Sequence, residues 1–97
     1  MYKTLEEATD YIKMGFYEKA KEIIEVEIYR EKNEDLKKYV NKVISIIDLM
    51  EEYKEKPDNK EKYIDKFKSL NLKDTRGFYE ITHRIEKEWN NLISQHI

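Results

Sequence analysis

The sequence predicts an all-α fold, a compact bundle of five helices with a long central third helix. The 97 residues include only two glycines and one proline, so the chain lacks the turn residues that β-hairpins require. Apolar residues also recur three and four positions apart, the spacing of one helix face. Because 39% of the residues are apolar, this length predicts one domain, residues 1–97, around a single modest core.

The first two predicted helices form an antiparallel pair. Helix one begins at Thr4, which forms a capping-box pattern with Glu7, and it ends at Gly15. Helix two covers residues 16–31. Its predicted buried face is Phe16, Ala20, Ile23, Ile24 and Ile28.

Helix three, predicted over residues 34–56, is the longest, and Pro57 ends it. Asn33 is a good cap for its first turn. One apolar stripe along this helix consists of Leu36, Tyr39, Val43, Ile46, Met50 and Tyr53. A second, adjoining apolar region consists of Val40, Ile44, Ile47 and Leu49. A helix this apolar must be covered from two sides. We therefore expect a core that includes Val40, Val43, Ile44, Ile47, Phe67, Ile85 and Trp89.

Two helices complete the predicted bundle. Helix four begins at a cap formed by Asp58 or Asn59 and ends near Leu70. Helix five begins at Asp74 and continues to within a few residues of Ile97. Its predicted buried face is Phe78, Ile81, Ile85, Trp89 and Leu92.

The tetrapeptide Gly-Phe-Tyr-Glu occurs twice, at residues 15–18 and 77–80, and it contains both glycines of the chain. In each copy the glutamate lies in the first turns of a predicted helix, where the helix dipole favours an anion. Each phenylalanine is expected to make the first core contact of its helix. We interpret the repetition as two independent helix starts; an old internal duplication is the alternative.

Residues 4–31 resemble a tetratricopeptide repeat hairpin. Ala8 and Tyr11 match the small residue and the tyrosine of that family, and Gly15 and Ala20 match its turn and its closely packed alanine. The family's tryptophan and leucine positions hold Thr4 and Glu7, and no second repeat follows. The resemblance implies a protein-interaction module without catalysis.

A second pattern supports an alternative function. Arg76 and His83 lie seven residues apart, two helical turns, and so share a helix face. Their spacing resembles the arginine–histidine signature of HEPN proteins, small all-α domains that include dimeric ribonucleases. That resemblance implies His83 as acid or base and Arg76 as the phosphate-binding group. Gly77 departs from it, since active members usually have a polar residue there.

No other constellation points to chemistry. Glu80 and His83 have the spacing of two metal ligands on one helix, but a di-iron bundle needs that pair twice, and Ile93 takes the matching place beside His96. There is no glycine-rich phosphate loop. We therefore expect no metal and no cofactor, and we do not assign an enzymatic activity.

Charge and composition narrow the expected partners and location. Basic and acidic residues nearly cancel to a net charge of −2, and we expect no nucleic-acid binding, even by the lysine-rich helix four. Cysteine is absent, and no apolar stretch is long enough to span a membrane. These features favour a cytoplasmic protein without a membrane partner.

The sequence therefore favours a small non-catalytic protein-interaction domain, either an adaptor or a self-associating regulator. Its protein partner is not identified by any motif. We expect Ile93 and Ile97 to lack an internal partner, and the apolar stripe of helix three to exceed what two neighbouring helices cover. The expected docking residues are Trp89, Leu92, Ile93, Ile97, Tyr39 and Tyr53. They predict a homodimer in which helix five of one copy packs beside helix three of the other.

Overall fold

The computed structural model describes residues 2–74 and 77–95, and within these ranges it contains five α-helices and no β-strand. The all-α prediction is confirmed. The helices are α1 (Tyr2–Lys13), α2 (Tyr17–Ile28), α3 (Glu34–Glu55), α4 (Lys60–Leu70) and α5 (Tyr79–Ser94), and a short 3₁₀ turn (Leu72–Asp74) connects the last two. No helix in the described part of the chain is both long enough and apolar enough to cross a membrane.

Helix α1 and helix α2 form a closely packed hairpin, as predicted. The turn between them is a Schellman motif: the Gly15 N–H donates to the Ile12 carbonyl at 3.0 Å, and the Phe16 N–H donates to the Tyr11 carbonyl at 2.9 Å. Gly15 has a φ of +85°, which glycine adopts without steric cost. The helix therefore ends where the sequence predicted, and for the predicted reason.

The predicted start of α1 is wrong, because the helix begins at Tyr2 and Thr4 lies inside its first turn. A capping residue must stand outside the helix, so Thr4 and Glu7 do not form a capping box. Extending an existing helix by one residue costs little free energy compared with nucleating a new helix, so the helix includes Thr4.

Helix α2 is shorter than predicted, and the aromatic residue buried at its start is not the predicted one. It ends at Ile28, and the Glu31 carboxylate instead accepts hydrogen bonds from the backbone N–H groups of Lys32 and Asn33. Phe16 precedes the helix and is 58% exposed, while Tyr17 takes the buried position. The expectation that Phe16 begins the core face is therefore wrong.

Helix α3 is central, since it packs against α2, α4, α5 and the 3₁₀ turn. Asn33 caps it as predicted, and its side chain accepts from the N–H groups of Asp35 and Leu36 at 2.9 and 3.2 Å. The helix ends two residues before Pro57. The predicted core residues of α3 are buried except Ile44, which is partly buried. Ile23, Ile28 and Phe67, predicted to be buried on other helices, are also only partly buried.

The connection between α4 and α5 differs from the prediction. Helix α5 begins at Tyr79, and Asp74 belongs to the 3₁₀ turn, so Asp74 does not cap α5. Gly77 has a φ of +93°, a conformation that interrupts a helix. Asn59 does stand at the N-cap of α4, in a left-handed conformation and without a side-chain capping bond.

Polar side chains also connect the helices. Lys21 of α2 lies 2.8 Å from Asp48 and 3.0 Å from Glu51, both on α3, and hydrogen bonding to Asp48 raises the pKa of its ammonium group. Inside the core, the Tyr39 hydroxyl and the Thr82 hydroxyl share a hydrogen bond of 2.8 Å. These contacts fix the register of α2 and α5 along α3.

We expect Ile47→Asp to unfold much of the population. Ile47 is fully buried, and an unpaired carboxylate there costs several kcal/mol, out of roughly 5–15 kcal/mol for a typical domain. Urea denaturation followed by far-ultraviolet circular dichroism measures the loss. Ser45→Asp, an exposed change on the same helix, should leave the midpoint nearly unchanged; equal midpoints for the two variants would contradict this core.

Gly15→Ala should lower the free energy of unfolding by about 1 kcal/mol, because alanine is strained at positive φ. The Lys54 Nζ lies 2.9 Å from the point that a Cβ on Gly15 would occupy, and this flexible ammonium must move. Gly77→Ala has a similar φ and should lose a similar amount through strain, and its Cβ would meet nothing within 4 Å, so any larger loss at Gly15 measures the displacement of Lys54. A Gly15→Ala protein as stable as the wild type would show that the turn is not held as described.

Candidate interaction groove

A groove of about 410 Å³ lies between α4 and α5. We call it the α4–α5 groove, and its apolar lining consists of Ile64, Phe67, Leu72, Trp89 and Ile93. Both helices pack on α3, and the 3₁₀ turn contributes Leu72 and Lys73 to the lining. The volume falls within the range of small ligand sites and of pockets that receive single large side chains.

The floor of the groove is a stacked aromatic pair. The rings of Phe67 and Trp89 lie 4.7 Å apart between centroids and only 6° from parallel. Trp89 is buried, whereas Phe67 and Ile64 are only partly buried. The groove therefore presents apolar surface from α4 that nothing within the described chain covers completely.

The described residues at the rim of the groove are polar, and they include more cations than anions. Lys68 and Lys73 stand on it together with Glu86, Asn71 and Asn90. Glu86 lies 3.5 Å from Lys73, so one of the two cations is already paired. Lys42 of α3 adds a further positive charge nearby, since its ammonium donates to the Asn71 carbonyl at 3.3 Å. The electrostatics of the rim favour an anionic or acidic occupant.

Two of the docking residues expected from the sequence lie in the core. Tyr39 and Tyr53 are fully buried. Tyr39 stacks on Phe78 with 4.3 Å between ring centroids, and Tyr53 packs edge-on against Tyr63. The apolar stripe of α3 is thus covered within one chain, and the inference that it leaves surplus surface for a second copy is wrong.

The expected docking residues at the end of α5 divide into two groups. Trp89, Leu92 and Ile93 are all buried, so the inference that Ile93 lacks an internal partner is wrong. Trp89 and Ile93 nevertheless line the groove, and a partner-binding role for them stays a prediction. Ile97 lies outside the described residues.

The structure describes only one of the two residues assigned to the alternative ribonuclease. His83 is exposed on α5, and Arg76 lies outside the described residues. The pairing of Arg76 with His83 therefore stays a prediction. Among the residues that are described, no group of three or more histidine, aspartate or glutamate side chains could hold a metal ion.

Sequence reasoning did not find the groove itself. The sequence predicts Phe67 in the core, and it contains no signal that α4 leaves part of this side chain exposed beside α5. Leu72 carries no periodic signal, since it lies in a connection between helices. Only the packing of α4 and α5 on one common helix produces a space between them.

No known protein family, curated protein sequence or solved structure matched this chain.

The buried phenol of Tyr39 is expected to make the stability of the fold depend on pH. Burial raises the pKa of its phenol to about 12, although the hydrogen bond to Thr82 acts in the opposite direction. The unfolded phenol ionises near its usual pKa of about 10. Stability from this group is therefore complete below pH 10 and is lost as the pH rises toward 12, because the unfolded state then binds fewer protons.

We expect the urea midpoint of the wild type to decrease as the pH is raised from 9 to 11.5. For Tyr39→Phe we expect a smaller decrease. Tyr39→Phe should also lower stability at pH 7 by about 1 kcal/mol, through loss of the hydrogen bond to Thr82. Tyr29→Phe, at a position 90% exposed, is the control and should show the full decrease. If Tyr39→Phe kept the wild-type pH dependence, groups other than Tyr39 would be the cause of the lost stability.

Proposed function

We propose that this protein is a small non-catalytic protein-interaction domain, and that it binds its partner in the α4–α5 groove. The observation that supports the proposal is the partly exposed aromatic and aliphatic lining of the groove within a strongly charged surface. Charged residues make up 41% of the chain, so an apolar groove is a departure from its general surface composition. The absence of cysteine suits a cytoplasmic location, which we include in the proposal.

The proposed mode of binding is insertion of a large apolar side chain between two helices. Helical proteins commonly receive partners in grooves of this kind, where a few apolar anchors supply most of the affinity. Burying an aromatic side chain against the Phe67–Trp89 pair contributes about 1.5–3 kcal/mol. Lys68 at the rim then favours partners with acidic residues beside the anchor.

The chemistry of the groove supports binding in preference to catalysis. Among the described residues that line it there is no histidine or serine, and the carboxylate of Glu86 pairs with Lys73 at the rim. The resemblance of residues 4–31 to a tetratricopeptide repeat hairpin agrees with this class of function. The hairpin and the groove lie on different parts of the bundle, and we assign binding to the groove.

Photo-crosslinking from the rim tests the proposal. Lys68 is exposed and is replaced by the photoreactive residue p-benzoylphenylalanine, and the protein is irradiated in a lysate of the source cells. We expect a covalent protein adduct from position 68. The same replacement at Glu25, an exposed residue of α2, should give no such adduct. Equal adducts from both positions, or none from position 68, would count against the groove.

A matched pair of substitutions identifies the groove as the cause of the adduct. Asn90→Glu places a carboxylate on the groove rim, and Asn41→Glu makes the same change on the exposed face of α3. Both positions are exposed and helical, so both variants should remain folded by circular dichroism. We expect Asn90→Glu to reduce the yield of the adduct at least about tenfold, equivalent to about 1.4 kcal/mol, and Asn41→Glu to leave it unchanged.

The same protein preparation distinguishes binding from RNA cleavage. It is incubated with mixed RNA beside a His83→Ala variant, in which an exposed side chain is removed without disturbing the core. We expect both preparations to leave the RNA intact. Cleavage by the wild type that disappears in His83→Ala would establish the ribonuclease alternative and overturn the proposed function.

A further inference from the structure

Helix α4 is attached to the bundle by fewer buried side chains than the other helices. Of its 11 residues only Tyr63 is buried, whereas the other four helices each bury between three and nine of their described residues. Ile64, Phe67 and Leu70 are partly buried. Its main neighbour is α3, and toward α5 it places the Phe67 ring on Trp89. A helix with little buried apolar surface separates from its neighbours at a low cost in free energy.

The sequence of α4 adds little stability of its own. Asn59 stands at the N-cap but makes no side-chain capping bond, so a stabilising contact of a helix start is missing. Lys62 and Lys66 lie four positions apart, the spacing at which like charges on one helix repel each other. An isolated helix of 11 residues is marginal in water, so α4 unfolds once it leaves α3.

Both ends of α4 interrupt the helical backbone. Asn59 and Asn71 have φ values of +48° and +46°, and in the described part of the chain no other residue except glycine has a positive φ. Residues 56–59, which precede the helix, are exposed, whereas Leu72 after it is buried. Unfolding of α4 therefore stops at these two asparagines and leaves α3 and the 3₁₀ turn in place.

The other four helices form a closed ring of contacts without α4. Helix α1 packs on α2 and on α5, and α3 packs on the same two helices. Lys21 of α2 bonds to Asp48 of α3, and the hydroxyl groups of Tyr39 and Thr82 join α3 to α5. Because none of these contacts involves α4, the ring is kept when α4 separates.

Separation of α4 uncovers aromatic side chains on the two helices beneath it. Tyr53 of α3 loses its edge contact with the Tyr63 ring, and Trp89 of α5 loses the stacked ring of Phe67. The α4–α5 groove, about 410 Å³ with α4 in place, then lacks one of its two walls. The position of α4 therefore sets the size of the groove.

We propose that α4 is a detachable cover: it separates from α3 and α5 as one unit and unfolds, while the ring of α1, α2, α3 and α5 stays folded. We call the result the open form. The inference goes beyond the proposed function, since it concerns the chain alone and is independent of what occupies the groove. An occupant with higher affinity for the open form raises the population of that form, and an occupant that needs both walls lowers it.

Amide hydrogen exchange of the chain alone, followed by NMR, tests for the open form. Under conditions where exchange reports the opening equilibrium, the amides of residues 64–69 should share one protection factor. We expect that factor to be at least about tenfold lower than the factor of the central amides of α3, which exchange only when the whole domain unfolds. Equal protection of α4 and α3 would overturn the inference.

Two substitutions show whether α4 opens by itself. Phe67→Leu removes the stack on Trp89, which exists only in the closed form, and should lower the protection of α4 and of α3 by the same factor of about 2–10. Ile12→Val, at a buried position of α1, weakens a contact that the open form keeps. It should lower the protection of α3 by about 2–10-fold and leave that of α4 unchanged. Both changes are small and apolar, so both variants should remain folded.

The two variants also define results that contradict the inference. If Ile12→Val lowers the protection of α4 and α3 equally, α4 exchanges only when the whole domain unfolds, and there is no open form. If Phe67→Leu leaves the protection of α4 unchanged, the stack does not hold α4 closed. Neither result bears on photo-crosslinking from position 68, which reports binding in the groove and tests the proposed function separately.

Discussion

The fold depends on the burial of α3. Its apolar side chains cover so much of its circumference that no single neighbouring helix can shield them from water. Helix α2 packs on one side, and α4, α5 and the 3₁₀ turn pack on others, so that Tyr39, Val40, Ile46, Ile47 and Tyr53 are all fully buried. Helices α2 and α4 pack on α3 directly, whereas α1 packs against α2 and α5. The shorter helices depend on such packing, because isolated helices of 11 to 16 residues are marginal in water.

The same constraint produces the groove. Because α4 and α5 both pack on α3, their positions follow the surface of α3 and are only partly set by contact with each other. The Phe67–Trp89 stack joins them, but it does not fill the space toward Ile64 and Leu72. A central helix that must be covered from several sides therefore leaves apolar surface at a junction between the helices that cover it.

The sequence predicted the number of helices and several of their ends, because those depend on local chemistry. The positive φ of Gly15, the cap at Asn33 and the stop before Pro57 each follow from one residue and its neighbours. The starts of α1 and α5 were not predicted correctly. Thr4 is a capping residue by type, but the helix continues past it, and Gly77 interrupts the helix expected from Asp74.

The location of the site could not be predicted in the same way. Helical periodicity shows that Tyr39, Tyr53 and Ile93 are apolar-face residues, but it does not show how many neighbours share that face. Burial in the structure removes Tyr39 and Tyr53 from the surface, whereas Ile93 reaches the groove. The groove needs residues from three elements, and their proximity is a property of the tertiary packing alone.

The repeated tetrapeptide shows where local and tertiary rules separate. Both copies obey the local rule, since a glycine of positive φ precedes a helix start in each. Tertiary packing then decides which aromatic turns inward: Tyr39 receives Phe78, whereas the end of α3 receives Tyr17 beneath Lys54. Phe16 is left in solvent at a position where a small polar residue would stabilise the helix. The surface that α3 offers to each copy therefore decides which aromatic side chain is buried, and the tetrapeptide by itself does not.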